Sequence, residues 1–380
     1  MSPMVKLPLT MEHALLGLVR QRLHAPELED PRVALERVNR TQQARERQDR
    51  HPGAARKRGE KCADESRGDG GSAADVTGES VEHGDEVMVP SLSFVATANA
   101  VAHAGAVPHF IDSEYATLGM SPDKLRERLS QMKREGGKVY NPETGARIAA
   151  ISPMHALGHP VRIKEIVAIA DEYGIPVVED AAESLGSYVD GQHTGTFGLT
   201  GMISFNGNKI VTTGGGGVIL TNDDAIGKRA KHITTTAKLP HKWEFEHDEL
   251  AWNYRMTNLT AALGIAQLEK LEGFKAEKRV LAERYAAAFE GFEGAKFVAE
   301  PAGTTSNYWL CAVQLDEPSL EQRDALLQAC HDDGILARPM WNLLHKQRMY
   351  NTAPAADLEV ATALHASLIC LPSTPRLARR

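Results

Sequence analysis

The strongest constraint on this chain is a change of texture at residue 84. Residues 1–83 contain no Phe, Trp, Tyr or Ile, and all 21 aromatic residues lie beyond them. From Gly84 onward, short apolar runs alternate with amphipathic stretches. Residues 86–90 read as a buried strand, 95–104 as an Ala-rich helix and 106–111 as a second strand. Ser121 and Pro122 open a helix read over 121–135, since a Ser side chain accepts from the first free amides and Pro suits the first helical position. Strands at 149–153, 175–178, 202–205 and 217–221 follow, with an amphipathic helix at 163–173 closed by Gly174. This alternation predicts an α/β fold with a mostly parallel, doubly wound central sheet. Ligands of such sheets gather at the carboxyl ends of the strands. Residues 258–290 read as mostly long helix. Strands near 308–314, 335–338 and 368–371 and a helix at 319–332 then suggest a smaller α+β C-terminal domain. The expected division is an atypical, poorly ordered segment at 1–83, a large domain at 84–250, and an inter-domain helix with a small domain at 251–380.

Composition narrows the function classes. Hydrophobic residues make up 42% of the 380 and charged residues 24%, ordinary for a globular protein. The net charge of −7 gives no global field favouring nucleic acid. The basic stretch at 40–61 admits a nucleic-acid-binding arm, but no interleaved aromatics support base stacking there. No apolar run reaches membrane-spanning length, and no signal-peptide pattern opens the chain. Cys62, Cys311, Cys330 and Cys370 have neither zinc-site nor disulfide-framework spacing. A cytoplasmic protein is the expectation.

Two segments carry chemistry. Val177-Val178-Glu179-Asp180-Ala181-Ala182-Glu183 sets a carboxylate just past an apolar strand. Ser204-Phe205-Asn206-Gly207-Asn208-Lys209 sets an amine in a small polar loop, followed by the glycine run 214–217. Alone, each has an ordinary explanation: a helix cap, a surface lysine, a flexible turn. The glycine run is not a Walker loop, because no Gly-Lys-Ser/Thr ends it. His155 and His159 stand four apart, but Pro153, Gly158 and Pro160 disfavour a helix there, so no metal pair is expected.

In this order the segments resemble the DegT/StrS-type sugar aminotransferases, which are fold-type I enzymes dependent on pyridoxal 5′-phosphate (PLP). The likeness covers roughly residues 84–376. It includes Gly84-Asp85-Glu86-Val87, Pro90-Ser91-Leu92-Ser93-Phe94, Asn253-Tyr254-Arg255-Met256-Thr257-Asn258 and Ala337-Arg338-Pro339-Met340-Trp341. It is nearest to members that aminate position 4 of UDP-linked 4-keto-6-deoxy-2-acetamido sugars in the bacillosamine and legionaminic acid pathways. The resemblance implies Lys209 as the Schiff-base lysine and Asp180 as the carboxylate at the pyridine nitrogen. It implies Phe94 against one ring face, Glu183 near the ring hydroxyl, Ser204 at the phosphate and His155 lining the pocket. Two residues have plainer readings: Phe94 as core, and Glu183 as a helix-start carboxylate. Asn253 resembles the family asparagine that reaches a neighbour's cofactor, which implies a homodimer with shared active sites. Arg338, Trp341 and His345 are the expected contacts to a nucleotide sugar, and glutamate is the expected amino donor.

The resemblance stops before residue 84. Family members carry a motif like Ser-Gly-Thr-Ala-Ala-Leu there, opening a helix whose amides hold the PLP phosphate. This chain has Arg67-Gly68-Asp69-Gly70-Gly71-Ser72-Ala73. Codons chosen as cgc-ggg-gac-ggc-ggc-tct-gca can encode those residues, and read one base later the same bases give Ala-Gly-Thr-Ala-Ala-Leu. The hypothesis is translation out of frame, restored near Val81; a gene with no compensating indels relative to close relatives contradicts it. Without the phosphate helix the chain should hold PLP weakly. Three alternatives follow: a degenerate, inactive member; a nucleic-acid-binding protein using the basic arm; and a sugar dehydratase, which Lys209 opposes because those enzymes carry histidine at that position.

Overall fold

The computed structural model describes residues 81–379 together with the backbone of Ala63–Glu65. The readings of the segment 67–73, of its phosphate helix and of the basic stretch 40–61 lie outside the described residues.

Among the described residues, seven strands form the large sheet: β1 (Ala63–Glu65), β2 (Glu86–Pro90), β3 (Val107–Ile111), β4 (Ile148–Ile151), β5 (Val178–Asp180), β6 (Thr200–Ser204) and β7 (Gly217–Leu220). Their order is β1-β7-β6-β5-β4-β2-β3. The β5–β4 junction is carried by parallel bridges Ile151–Val177 and Met154–Asp180, and by Asp180 N–H donating to Pro153 O at 2.8 Å. Only β7 runs against the rest. The α/β expectation of a mostly parallel sheet therefore holds, and β1 adds an edge strand that the sequence reading does not place.

Side-chain alternation explains why both faces are covered. Val87 and Val89 of β2 enter one core cluster with Phe110, while Met88 enters the opposite one with Ile111. A strand alternates its side chains between faces, and a sheet buried on both needs apolar residues at each position. Helix α1 (Val95–His103) covers the first face; α2 (Pro122–Ser130) and α3 (Ile163–Tyr173) cover the second. Fully burying a side chain such as Phe110 or Ile151 contributes roughly 1.5–3 kcal/mol.

Helix α2 begins as its sequence dictates, with Ser121 Oγ accepting from Lys124 N–H at 3.3 Å and Pro122 in the first turn. The expected extent to 135 is corrected: the helix ends at Ser130, and Lys133–Glu135 pairs antiparallel with Lys138–Tyr140. Gly136 and Gly137, at φ +59° and +78°, supply the tight hairpin turn, a conformation glycine adopts without steric cost.

Helix α4 (Asp224–Thr234) follows β7. The long helical stretch is two helices, α5 (Asn258–Leu268) and α6 (Leu271–Phe289). A second, antiparallel sheet has the order β8 (Ala295–Phe297), β9 (Cys311–Leu315), β11 (Leu368–Leu371), β10 (Arg338–Pro339), flanked by α7 (Leu320–Asp332) and α8 (Glu359–Ser367). It is stitched to the first. Asp112, at the end of β3, accepts from Val360 and Ala361 N–H at 3.0 and 2.8 Å and so caps α8 from outside. Among the described residues no helix is long and apolar enough to cross a membrane.

Candidate active site

The site lies at the carboxyl ends of β5 and β6. Their register sets Met202 beside Asp180, so Ser204 and the loop to Lys209 project past the same edge. Asp180 is buried. Its Oδ2 accepts from the Thr97 hydroxyl at 2.6 Å, and its Oδ1 from Ala182 N–H at 3.1 Å. Thr97 is paired with Ser93 Oγ at 2.8 Å. The first turn of α1, backed by Ser93 in the loop before it, thus orients the carboxylate that ends β5.

Lys209 Nζ lies 3.3 Å from Glu183 Oε1, with its side chain 10% exposed and that of Glu183 1%. Glu183 Oε2 accepts from Leu157 N–H at 2.9 Å. Burial pushes the Glu183 carboxyl up to about 7; the Lys209 ammonium and the Leu157 amide act against that, and the Asp180 charge adds to it. Glu183 follows a strand and a turn and opens no helix, so the helix-start explanation is corrected.

Trp309 completes the wall. Lys209 Nζ stands over its ring, 4.2 Å from the centroid, and its indole N–H donates to Asn208 O at 2.9 Å. Asn307 ties this segment to the Glu183 turn, donating to Glu183 O at 2.8 Å and Leu185 O at 3.0 Å, while its Oδ1 accepts from Trp309 N–H at 2.8 Å. Gly158, at φ +89°, makes room for it: a Cβ there would stand 1.9 Å from Asn307 Oδ1. Sequence reasoning missed Trp309 and Asn307. They sit about a hundred residues beyond Lys209 with no motif around them, inside or beside a stretch read only as a strand.

The other expected residues are dispersed. Phe94, at the start of α1, is 45% exposed, which corrects its reading as core. Ser204 is buried and its Oγ accepts from Asn206 N–H at 3.2 Å. His155 is fully buried: Nε2 meets Glu179 Oε2 at 3.1 Å and Nδ1 accepts from Val161 N–H at 3.2 Å. Both ring nitrogens are therefore engaged, and Nε2 carries the proton it gives to Glu179. His159 turns elsewhere, edge-on to Tyr308 with 5.3 Å between ring centroids. His345 meets Ser91 Oγ through Nδ1 at 2.7 Å, which ties the C-terminal segment to the loop bearing Phe94. Trp341 is partly buried against the cluster that holds Trp309 and Leu92, and Arg338 is exposed. Asn253 is exposed, beside a backbone bridge to Thr235.

The donor set fits PLP chemically. A buried carboxylate held at both oxygens, a lysine amine beside a second carboxyl, and a serine hydroxyl at a neighbouring strand end match a ring nitrogen, an aldehyde with its adjacent hydroxyl, and a phosphate.

Fold and site thus define the class of PLP-dependent aminotransferases. The chain belongs to the DegT/DnrJ/EryC1/StrS aminotransferase family, whose model matches residues 73–380, and its cofactor is PLP. EpsN of Bacillus subtilis (strain 168), named as a pyridoxal phosphate-dependent aminotransferase, is 40% identical over 297 residues, covering 77% of this chain and 74% of that one. The GDP-perosamine synthase of Escherichia coli O157:H7 is 33% identical, covering 71% and 69%. The crystal structure of the aminotransferase TlmJ from Streptoalloteichus hindustanus superposes with a TM-score of 0.74 at 30% identity, covering 83% of this chain and 81% of that one. Helicobacter pylori PseC shares the fold, with a TM-score of 0.74 at 20% identity, covering 96% and 94%. These findings favour neither the nucleic-acid nor the degenerate reading.

Proposed function

We propose that this chain transfers an amino group to the keto carbon of a nucleotide-linked sugar, with Lys209 as the cofactor lysine. The observation that carries the reading is the buried contact of Lys209 Nζ with Glu183, one strand end away from the Thr97-held Asp180. In this reading the bound cofactor supplies an electron sink for the carbon that gains or loses the amino group. Asp180 holds a proton at the ring nitrogen, which keeps that sink positive. Glu183 shares the proton of the ring hydroxyl. Ser204 binds the phosphate, Phe94 shields one ring face and His155 backs the pocket behind Glu179. Lys209 moves the proton at the reacting carbon, a task that suits an amine enclosed between a carboxyl and an indole.

Asn253 and the exposed α5 face support a homodimer whose copies share active sites. Leu259, Ile265, Leu263 and Leu268 of α5 are 85%, 61%, 45% and 44% exposed, an apolar surface suited to a second copy. Arg338, Trp341 and His345 face the nucleotide sugar, where a guanidinium and an indole suit diphosphate and base. The substrate is a UDP-linked 4-keto-6-deoxy-2-acetamido sugar, and the donor is glutamate. Incubation with PLP, glutamate and either UDP- or GDP-linked 4-keto sugars tests this. The expected result is a 4-amino UDP-sugar by mass spectrometry. A product only from the GDP-sugar overturns the nucleotide assignment, and none from either overturns the substrate class.

A further inference from the structure

Lys278 lies buried on α6, and the chemistry above makes no use of it. An ammonium has three N–H donors. Those of Lys278 go to backbone carbonyls: Tyr308 O at 3.2 Å, Trp309 O at 2.9 Å and Ser373 O at 2.6 Å. Holding a charge away from water on peptide dipoles alone is costly, and burial pulls this amine down to about 8. The arrangement calls for a reason.

Two of the three carbonyls belong to consecutive residues. Tyr308 sits in the left-handed region at φ +47°, where an aromatic residue stays only when its surroundings fix it. Trp309, the next residue, turns its indole under Lys209 Nζ and bonds to Asn208 O in the loop that carries Lys209. The third carbonyl anchors the ammonium beyond the end of β11, where Ser373 Oγ accepts from Cys311 N–H at 2.8 Å. A single side chain therefore joins the second sheet to the backbone that aims the indole at the reactive amine.

We propose that Lys278 is a positioning residue for Lys209: its ammonium fixes the backbone at 308–309, and the Trp309 indole carries that placement to the Lys209 amine. The inference rests on the reading of Lys209 as the cofactor lysine. It is tested without cofactor, so the two fail separately. In the apoprotein, the pH dependence of Lys209 acylation is followed by competitive labelling and peptide mass spectrometry. Trp309→Leu removes the cation–π contact and lowers the labelling midpoint by about half a pH unit. Lys278→Met produces a shift of similar size and direction, and the double variant adds nothing further. Lys278→Gln, which keeps N–H donors for the carbonyls, gives a smaller shift and serves if the Met variant does not fold. Lys278 variants that lose thermal stability yet keep the wild-type midpoint overturn the proposal, as do additive shifts in the double variant. In the wild-type holoenzyme, failure of Lys209 to bond PLP overturns the cofactor-lysine reading alone.

Discussion

Burial sets the chemistry of Glu183. Its folded carboxyl sits near 7, against an unperturbed value of 4.5. A carboxyl raised on folding contributes stability that is fully present below about pH 4.5 and lost as pH rises through 7. Glu183→Gln imitates the protonated form at every pH. Wild type should therefore lose on the order of 3 kcal/mol between pH 4.5 and 8 relative to this variant, read by urea denaturation at both pH values. Parallel curves contradict the burial argument. At this scale a carboxylate after an apolar strand and a lysine in a Ser-Asn-Gly loop each have an ordinary explanation alone, and only their order along the chain made them legible as a site. Trp309 was not, because its role arises from where α6 and β9 hold the chain, not from its neighbours in sequence.

At the scale of elements, what was legible followed local rules. Ser121-Pro122 marked a helix start, Gly174 marked a helix end at φ +67°, and β2, β3 and β4 carry apolar side chains on both faces. The end of α2 was missed because Lys133 to Tyr140 has no strong strand pattern; its hairpin depends on two glycines in left-handed conformations. Helix α5 shows the opposite case. It is apolar, yet Gly264 is its only buried residue, so among the described residues its pattern matches no face of the core. If a second copy covers it, Leu259→Glu with Ile265→Glu breaks the assembly. Sedimentation velocity should show a dimer for wild type and a monomer for the variant. A wild-type monomer, or a variant that still dimerises, contradicts the shared-site reading.

Across the whole molecule, the two sheets behave as one frame around the site. Asp112 caps α8 across the boundary, and Ala356 N–H bonds to Phe110 O at 2.8 Å along the edge of β3. His345 bonds to Ser91, and Trp309 to the Lys209 loop. Such long-range ties leave no trace in local sequence, which is why the order of parts was readable and their convergence was not. The assignment of Lys209 as the residue that bonds the cofactor is tested directly. Full-length protein is incubated with PLP, reduced with borohydride, digested and mapped by mass spectrometry. The expected result is a visible absorption band before reduction and the pyridoxyl mass on the peptide containing Lys209, with both absent in Lys209→Ala. A folded protein that shows no band, or carries the label on another lysine, contradicts it.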